Sequence, residues 1–174
     1  MNRFWISGAL VAALAAALAT GSALAGSGSA QVQVPFRGTF AGKAVVRVNG
    51  QAADISAAGV GPARILGKSR ISGTLGRSKL VGTGAGSKSD PCPLFGGTGS
   101  ITAANGGRLN FTVPPAAGSG CTDEEAQLFS LSGRATVTGG TGKYVRTKGV
   151  LRFTGSFDRG TGNFTVAFTG TLTA

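Results

Sequence analysis

The chain has 174 residues, 31 of them glycine and none histidine, and carries 17 Lys and Arg against 6 Asp and Glu, a formal charge of +11. Without histidine, Ser-His-Asp and Cys-His nucleophilic schemes are excluded, and the commonest metal ligand is missing. The glycine and proline content stays below the level that marks a disordered low-complexity chain, so a folded, basic protein is expected.

Taken in chain order, the first segment reads as a secretory leader. Arg3 supplies a positive start, roughly 8–19 is apolar, and Ala23-Leu24-Ala25 forms a small-residue cleavage site. The apolar run is shorter than the ~20 residues that a membrane span needs. Cleavage after Ala25 would leave 149 of the 174 residues, enough for one domain. Arg3 departs with the leader, so the expected charge of the exported, soluble product is +10. Such an excess favours weakly specific contacts with polyanions: acidic wall polymers, anionic lipid headgroups or extracellular nucleic acid. The cations are scattered singly rather than in runs, which also suits a plain solvated basic surface.

Residues 26–33 read as a flexible lead-in, and a single domain over 34–174 follows. From Val34 to Val48 apolar residues and glycines alternate with Arg37, Thr39, Lys43 and Arg47. That is the period of two of a half-buried strand. The same alternation recurs in "LRFTGSF" (151–157) and "NFTVAFTGTLT" (163–173). Strands are expected at about 36–48, 53–60, 63–75, 78–83, 98–104, 108–113, 127–138, 147–157 and 163–173. Asn49-Gly50, Asn105-Gly106 and "DRGTGN" (158–163) supply the turns. Thr122 and Glu125 form a capping box that would start one helical turn. Gly38, Gly42, Gly133, Gly155 and Gly170 fall on the apolar faces, where glycine permits the coiling that closure requires. The expectation is an all-β, antiparallel closed barrel of about eight strands. Cys92 and Cys121 are the only cysteines and, in an exported chain, are expected to form one disulfide.

Gly139-Gly140-Thr141-Gly142-Lys143-Tyr144 could cradle a phosphate, shape a pocket or turn a corner. It fails as a Walker loop because Tyr144 stands where Ser or Thr is needed, and "GPARILGKS" (61–69) has one residue too many. A structural turn, with Tyr144 packed against the barrel end, is the expected role. The region "VTGGTGKYVRTKGVLRFTGSFDRGTGNFTVAFTGTL", with "FRGTF" and "GVGPARILGKSRISGTL" earlier, resembles secreted bacterial barrels related to dirigent proteins and allene oxide cyclases. The resemblance covers about residues 34–75 and 96–174. It implies an eight-stranded calycin-like barrel whose best-known members guide the cyclisation or coupling of small hydrophobic molecules. The turn 139–144 carries over; no position here matches the enzymes' catalytic acid or ligand-holding residues. The plant relatives are trimers that bury sheet surface, whereas Thr, Ser, Lys and Arg on the outer faces here predict a monomer.

Few residues offer chemistry. Asp54 precedes a strand and is the one weak candidate for a general acid or base. Asp123, Glu124 and Glu125 read as an exposed acidic turn rather than a Ca²⁺ site, and no metal or cofactor is expected. Asp158 sits in a hairpin turn, where Asp bonds to nearby backbone. The sequons at Asn110 and Asn163 lie within strands and read as chance matches. Phenylalanines dominate the apolar faces, so the interior is either filled or holds one small hydrophobic molecule. Phe40, Phe111, Phe153, Phe168 and Tyr144 are the candidate ligand contacts. An anionic surface polymer is the alternative partner, met by Arg37, Lys43, Arg47, Arg134 and Arg152. A cyclase or isomerase acting by pocket shape is the enzymatic alternative, and an extracellular structural protein with a filled core is the third. No specific nucleic-acid partner is expected.

Overall fold

A computed structural model describes residues 32–49, 52–77, 92–122 and 127–173. The strands are β1 (Gln33–Asn49), β2 (Ala52–Ala63), β3 (Gly67–Arg77), β4 (Leu94–Ala103), β5 (Arg108–Thr122), β6 (Leu128–Gly140), β7 (Lys148–Asp158) and β8 (Asn163–Thr173). Each pairs antiparallel with its neighbours in sequence, and β1 pairs with β8 to close an eight-stranded barrel. Closure leaves no sheet edge to template aggregation. The expected strand at 78–83 and the helical turn begun at Thr122 fall outside the described residues, apart from Thr122 itself, which ends β5.

The side chains follow the period of two. Phe36, Phe40, Ile101, Leu109, Val137, Leu151 and Leu172 are fully buried inside, while the outer wall carries mostly Thr, Ser, Lys and Arg, with Val45, Val60 and Val150 exposed among them. This is the inverse of the apolar-out pattern of an outer-membrane barrel. Among the described residues no helix is long and apolar enough to cross a membrane.

The register pairs large residues with small ones. Phe36 stands opposite Gly170, Gly38 opposite Phe168 and Gly42 opposite Phe164. Gly99 stands opposite Phe111, Phe95 opposite Gly118 and Gly133 opposite Phe153. A Cβ built on Gly99 would lie 2.5 Å from the Phe111 ring, and one on Gly133 would lie 2.5 Å from the Phe153 ring. The glycines are therefore slots into which rings fold across the strand pair, the arrangement that relieves the cost of glycine in a sheet. Phe168 packs tilted between Phe111 and Phe153, with centroids 5.5 and 5.7 Å away.

One strand departs from regular pairing. Thr112 pairs with Thr136 and Gly118 with Gly133, so six steps along β5 match only three along β6. Pro114 and Pro115 sit in this bulge, exposed, where proline's missing N–H breaks no ladder bond. Ala116 takes φ 62° there, the only non-glycine in the left-handed region among the described residues. The expected strand at 108–113 thus runs on to Thr122, because a bulge bends a strand without ending it.

Candidate functional site

The two ends of the barrel are built differently. At one end lie the β2–β3, β4–β5 and β6–β7 turns. Here Gly139 (φ 125°) and Gly142 (φ 60°) adopt angles that L side chains rarely take, which is why the glycine-rich stretch is needed. They lead into a single 3₁₀ turn, Gly142–Tyr144. That turn folds Tyr144 inward, 5% exposed. Its hydroxyl donates to the Ile65 carbonyl at 2.9 Å, joining the β6–β7 and β2–β3 turns across the barrel end. Lys143 places its ammonium 5.2 Å above the same ring. Thr141 N–H donates to the Arg108 carbonyl at 2.8 Å while its hydroxyl accepts from Arg108 N–H at 3.1 Å. The turn is a plug that closes this end of the barrel around the Tyr144 ring.

The Cys92 end carries the β1–β2, β3–β4, β5–β6 and β7–β8 connections. Cys92 and Cys121 are bonded, as expected, and tie the start of β4 to the end of β5. Asp158 organises the β7–β8 hairpin: one carboxylate oxygen accepts from Gly160 N–H at 2.8 Å and Thr161 N–H at 3.0 Å. The hydrogen bonds from Thr161, then that from Gly160 and the nearby Lys43 charge, hold its carboxyl below the usual carboxylate range. Lys43 Nζ donates to the Thr161 carbonyl at 2.9 Å and Ala44 N–H to that of Gly162 at 2.8 Å, so β1 braces the same hairpin.

Between the ends, the half of the interior nearer Cys92 contains a cavity of about 110 Å³. Ala44, Ala57 and Gly73 at inward positions leave this space open, whereas the opposite end is filled by Leu66 and Tyr144 folded in from its turns. Phe157, Phe164 and Leu131 wall it on one side, Ile55, Ile71 and Leu75 on the other, and Phe111, Phe153 and Phe168 form its floor. No titratable group lines it among the described residues. A cavity of roughly 150 Å³ lined by Leu, Ile and Phe stays dry and accepts benzene, so this one suits an apolar group of a few heavy atoms.

The candidate residues of the sequence separate accordingly. Phe111, Phe153 and Phe168 converge at the cavity floor. Phe40 lies outside the lining, packed edge-on to Phe168 at 6.2 Å. Tyr144 is at the opposite end, where its hydroxyl is committed to Ile65. Both are part of the packing, because the large residues of the Tyr144 half leave no space beside them. Asp54 is exposed on the outer face of β2, opposite Arg47, and does not point into the barrel. Ala44, Ala57 and Leu131 were not singled out from sequence. Their signal was small or aliphatic residues at inward positions, which becomes informative only once register shows them at one level. No family model matches the chain, and neither a curated protein nor a solved structure is significantly similar to it.

Proposed function

We propose that this is an exported, monomeric β-barrel that binds a small hydrophobic molecule in the half of its interior nearer the Cys92–Cys121 bond. The observation that carries this reading is the wholly apolar cavity at the floor of which Phe111, Phe153 and Phe168 meet. Preformed apolar pockets are the usual sites for such ligands, and the leader-like first 25 residues and the disulfide fit export to an oxidising compartment. The resemblance to dirigent and allene oxide cyclase-like barrels supports an internal ligand as well. The apolar lining favours holding a molecule over acid–base chemistry upon it, and a cyclase here would act by pocket shape alone.

Native mass spectrometry of the protein purified from its own culture supernatant tests the reading. A non-covalent adduct supports it. Added toluene should bind the wild type, and Ala57→Leu, which fills the cavity, should abolish that binding while leaving the melting temperature unchanged or higher. Toluene binding equal in both proteins, or absent from a wild type without adduct, would leave the interior a packed core and the function on the outer wall.

A further inference from the structure

The outer wall segregates charge in a way that the linear sequence hides. Arg134 stands directly opposite Arg152 across β6 and β7. Arg152 stands opposite Thr169 on β8, and Thr169 opposite Arg37 on β1. The row continues into the β2–β3 turn, where Arg64 N–H donates to the Arg37 carbonyl at 2.8 Å. All four arginines and Thr169 are exposed. Four arginines thus share one transverse line, one strand spacing of about 4.8 Å after another, with a hydroxyl at the single gap.

Among the described residues no carboxylate neutralises this line. The adjacent row toward Cys92 is Ser132, Thr154, Ala167 and Thr39, and the row on the other side is Thr136, Val150, Thr171 and Pro35. Asp54 and Asp158 both belong to the Cys92 end. Asp90, Asp123, Glu124 and Glu125 lie outside the described residues. Like charges placed directly opposite each other destabilise a strand pair, and Arg134 with Arg152 is such a pair. Stability alone gives no reason to keep it, whereas a multivalent anion laid across it would turn the repulsion into attraction.

The geometry points to a docking line for an acidic polysaccharide that runs across β6, β7, β8 and β1 with its carboxylate or sulfate groups on Arg134, Arg152, Arg37 and Arg64. Guanidinium groups grip carboxylate and sulfate oxygens with paired N–H donors. The flanking Ser and Thr rows offer both donors and acceptors to ring hydroxyls. Single-stranded nucleic acid is disfavoured, since base stacking needs aromatic faces and the large apolar side chains exposed among the described residues are all Val or Leu. A lipid surface is disfavoured because the line runs around a convex wall. Lys43 and Arg47, grouped with the others on sequence grounds, stand off the row: Lys43 braces the β7–β8 hairpin and Arg47 faces Asp54.

Binding of the purified protein to polygalacturonate, measured by titration calorimetry at rising salt, tests this. The double variant Arg134→Gln/Arg152→Gln should lose about tenfold or more in affinity, with a shallower salt dependence, in keeping with the loss of two charge-assisted contacts. It should melt at the same temperature as the wild type or higher. Arg70→Gln/Arg108→Gln removes equal charge from β3 and β5 and should change affinity by no more than about twofold, as expected when net charge alone is altered. Neutral dextran should not bind. Equal losses in the two double variants, or tighter binding to a single-stranded polythymidylate or to anionic vesicles than to polygalacturonate, would overturn the proposal. This line lies outside the barrel, so its failure leaves the internal cavity unaffected.

Discussion

The Tyr144 end and the Cys92 end are made by the same eight strands and the same alternation, yet one is filled by side chains while the other leaves a cavity. At the Tyr144 end, Phe36, Leu109, Leu151 and Leu172 are at most 2% exposed, and backbone bonds tie the turns to adjacent strands: Arg64 to Arg37, Ala104 to Lys68, Thr141 to Arg108. At the Cys92 end, alanine and glycine at inward positions leave a cavity, and a covalent bond ties β4 to β5. A barrel of this strand number is just wide enough to be filled by side chains. Whether a level is solid or hollow is therefore decided by a few substitutions between large and small residues. Nothing in the backbone needs to change.

The sharpest way to break this comparison is a matched pair of truncations. Phe36→Ala should cost about 3–5 kcal/mol in urea unfolding, as expected for a ring in a close-packed core. Phe157→Ala, at the cavity wall, should cost less, about 2–3 kcal/mol, because part of its surroundings is already empty. Equal losses would mean that the two halves are packed alike. Next in size, Cys92→Ser/Cys121→Ser should lower stability by about 3 kcal/mol through the freed unfolded chain. Differential hydrogen exchange should place the loosening in β4 and β5 near Cys92; uniform loosening that extends to the Tyr144 turn would contradict the separation of the two ends.

Smaller effects sharpen the picture. Tyr144→Phe removes the bond to Ile65 and should cost about 1 kcal/mol, with faster exchange at the β2–β3 and β6–β7 turns and little change at Cys92. The smallest effect belongs to Asp158→Asn. The carboxyl titrates below its ordinary range when folded, so its stabilising contribution is present at neutral pH and is lost as pH falls through the folded value. The variant should melt below the wild type at pH 7, and the two curves should converge in strong acid. A gap that persists there would assign the effect to packing.

Much of this was legible from residues alone. The alternation around Phe36 to Val48 and Phe164 to Leu172 pointed to strands, and Gly139 and Gly142 marked a turn that only glycine makes comfortably. The hairpin role of Asp158 followed from its Gly and Asn company. Less legible was the bulge after Thr112, since two prolines suggest an end to a strand, and bulges are where they are tolerated within one. Asp54 looked available for chemistry because its sequence position carries no information about which face it takes.

Period-two patterning, turn chemistry and the disulfide are local or compositional properties, so the sequence by itself determined an all-β chain with its interior rich in phenylalanine. Register and closure are relations between strands distant in sequence, and they were settled only in the tertiary structure. They decided that Gly99 faces Phe111, that Ala44 and Ala57 share a level with no large partner, and that Arg134, Arg152, Arg37 and Arg64 stand in one line. The physical reason is that a one-residue slip in pairing moves every side chain to the other face.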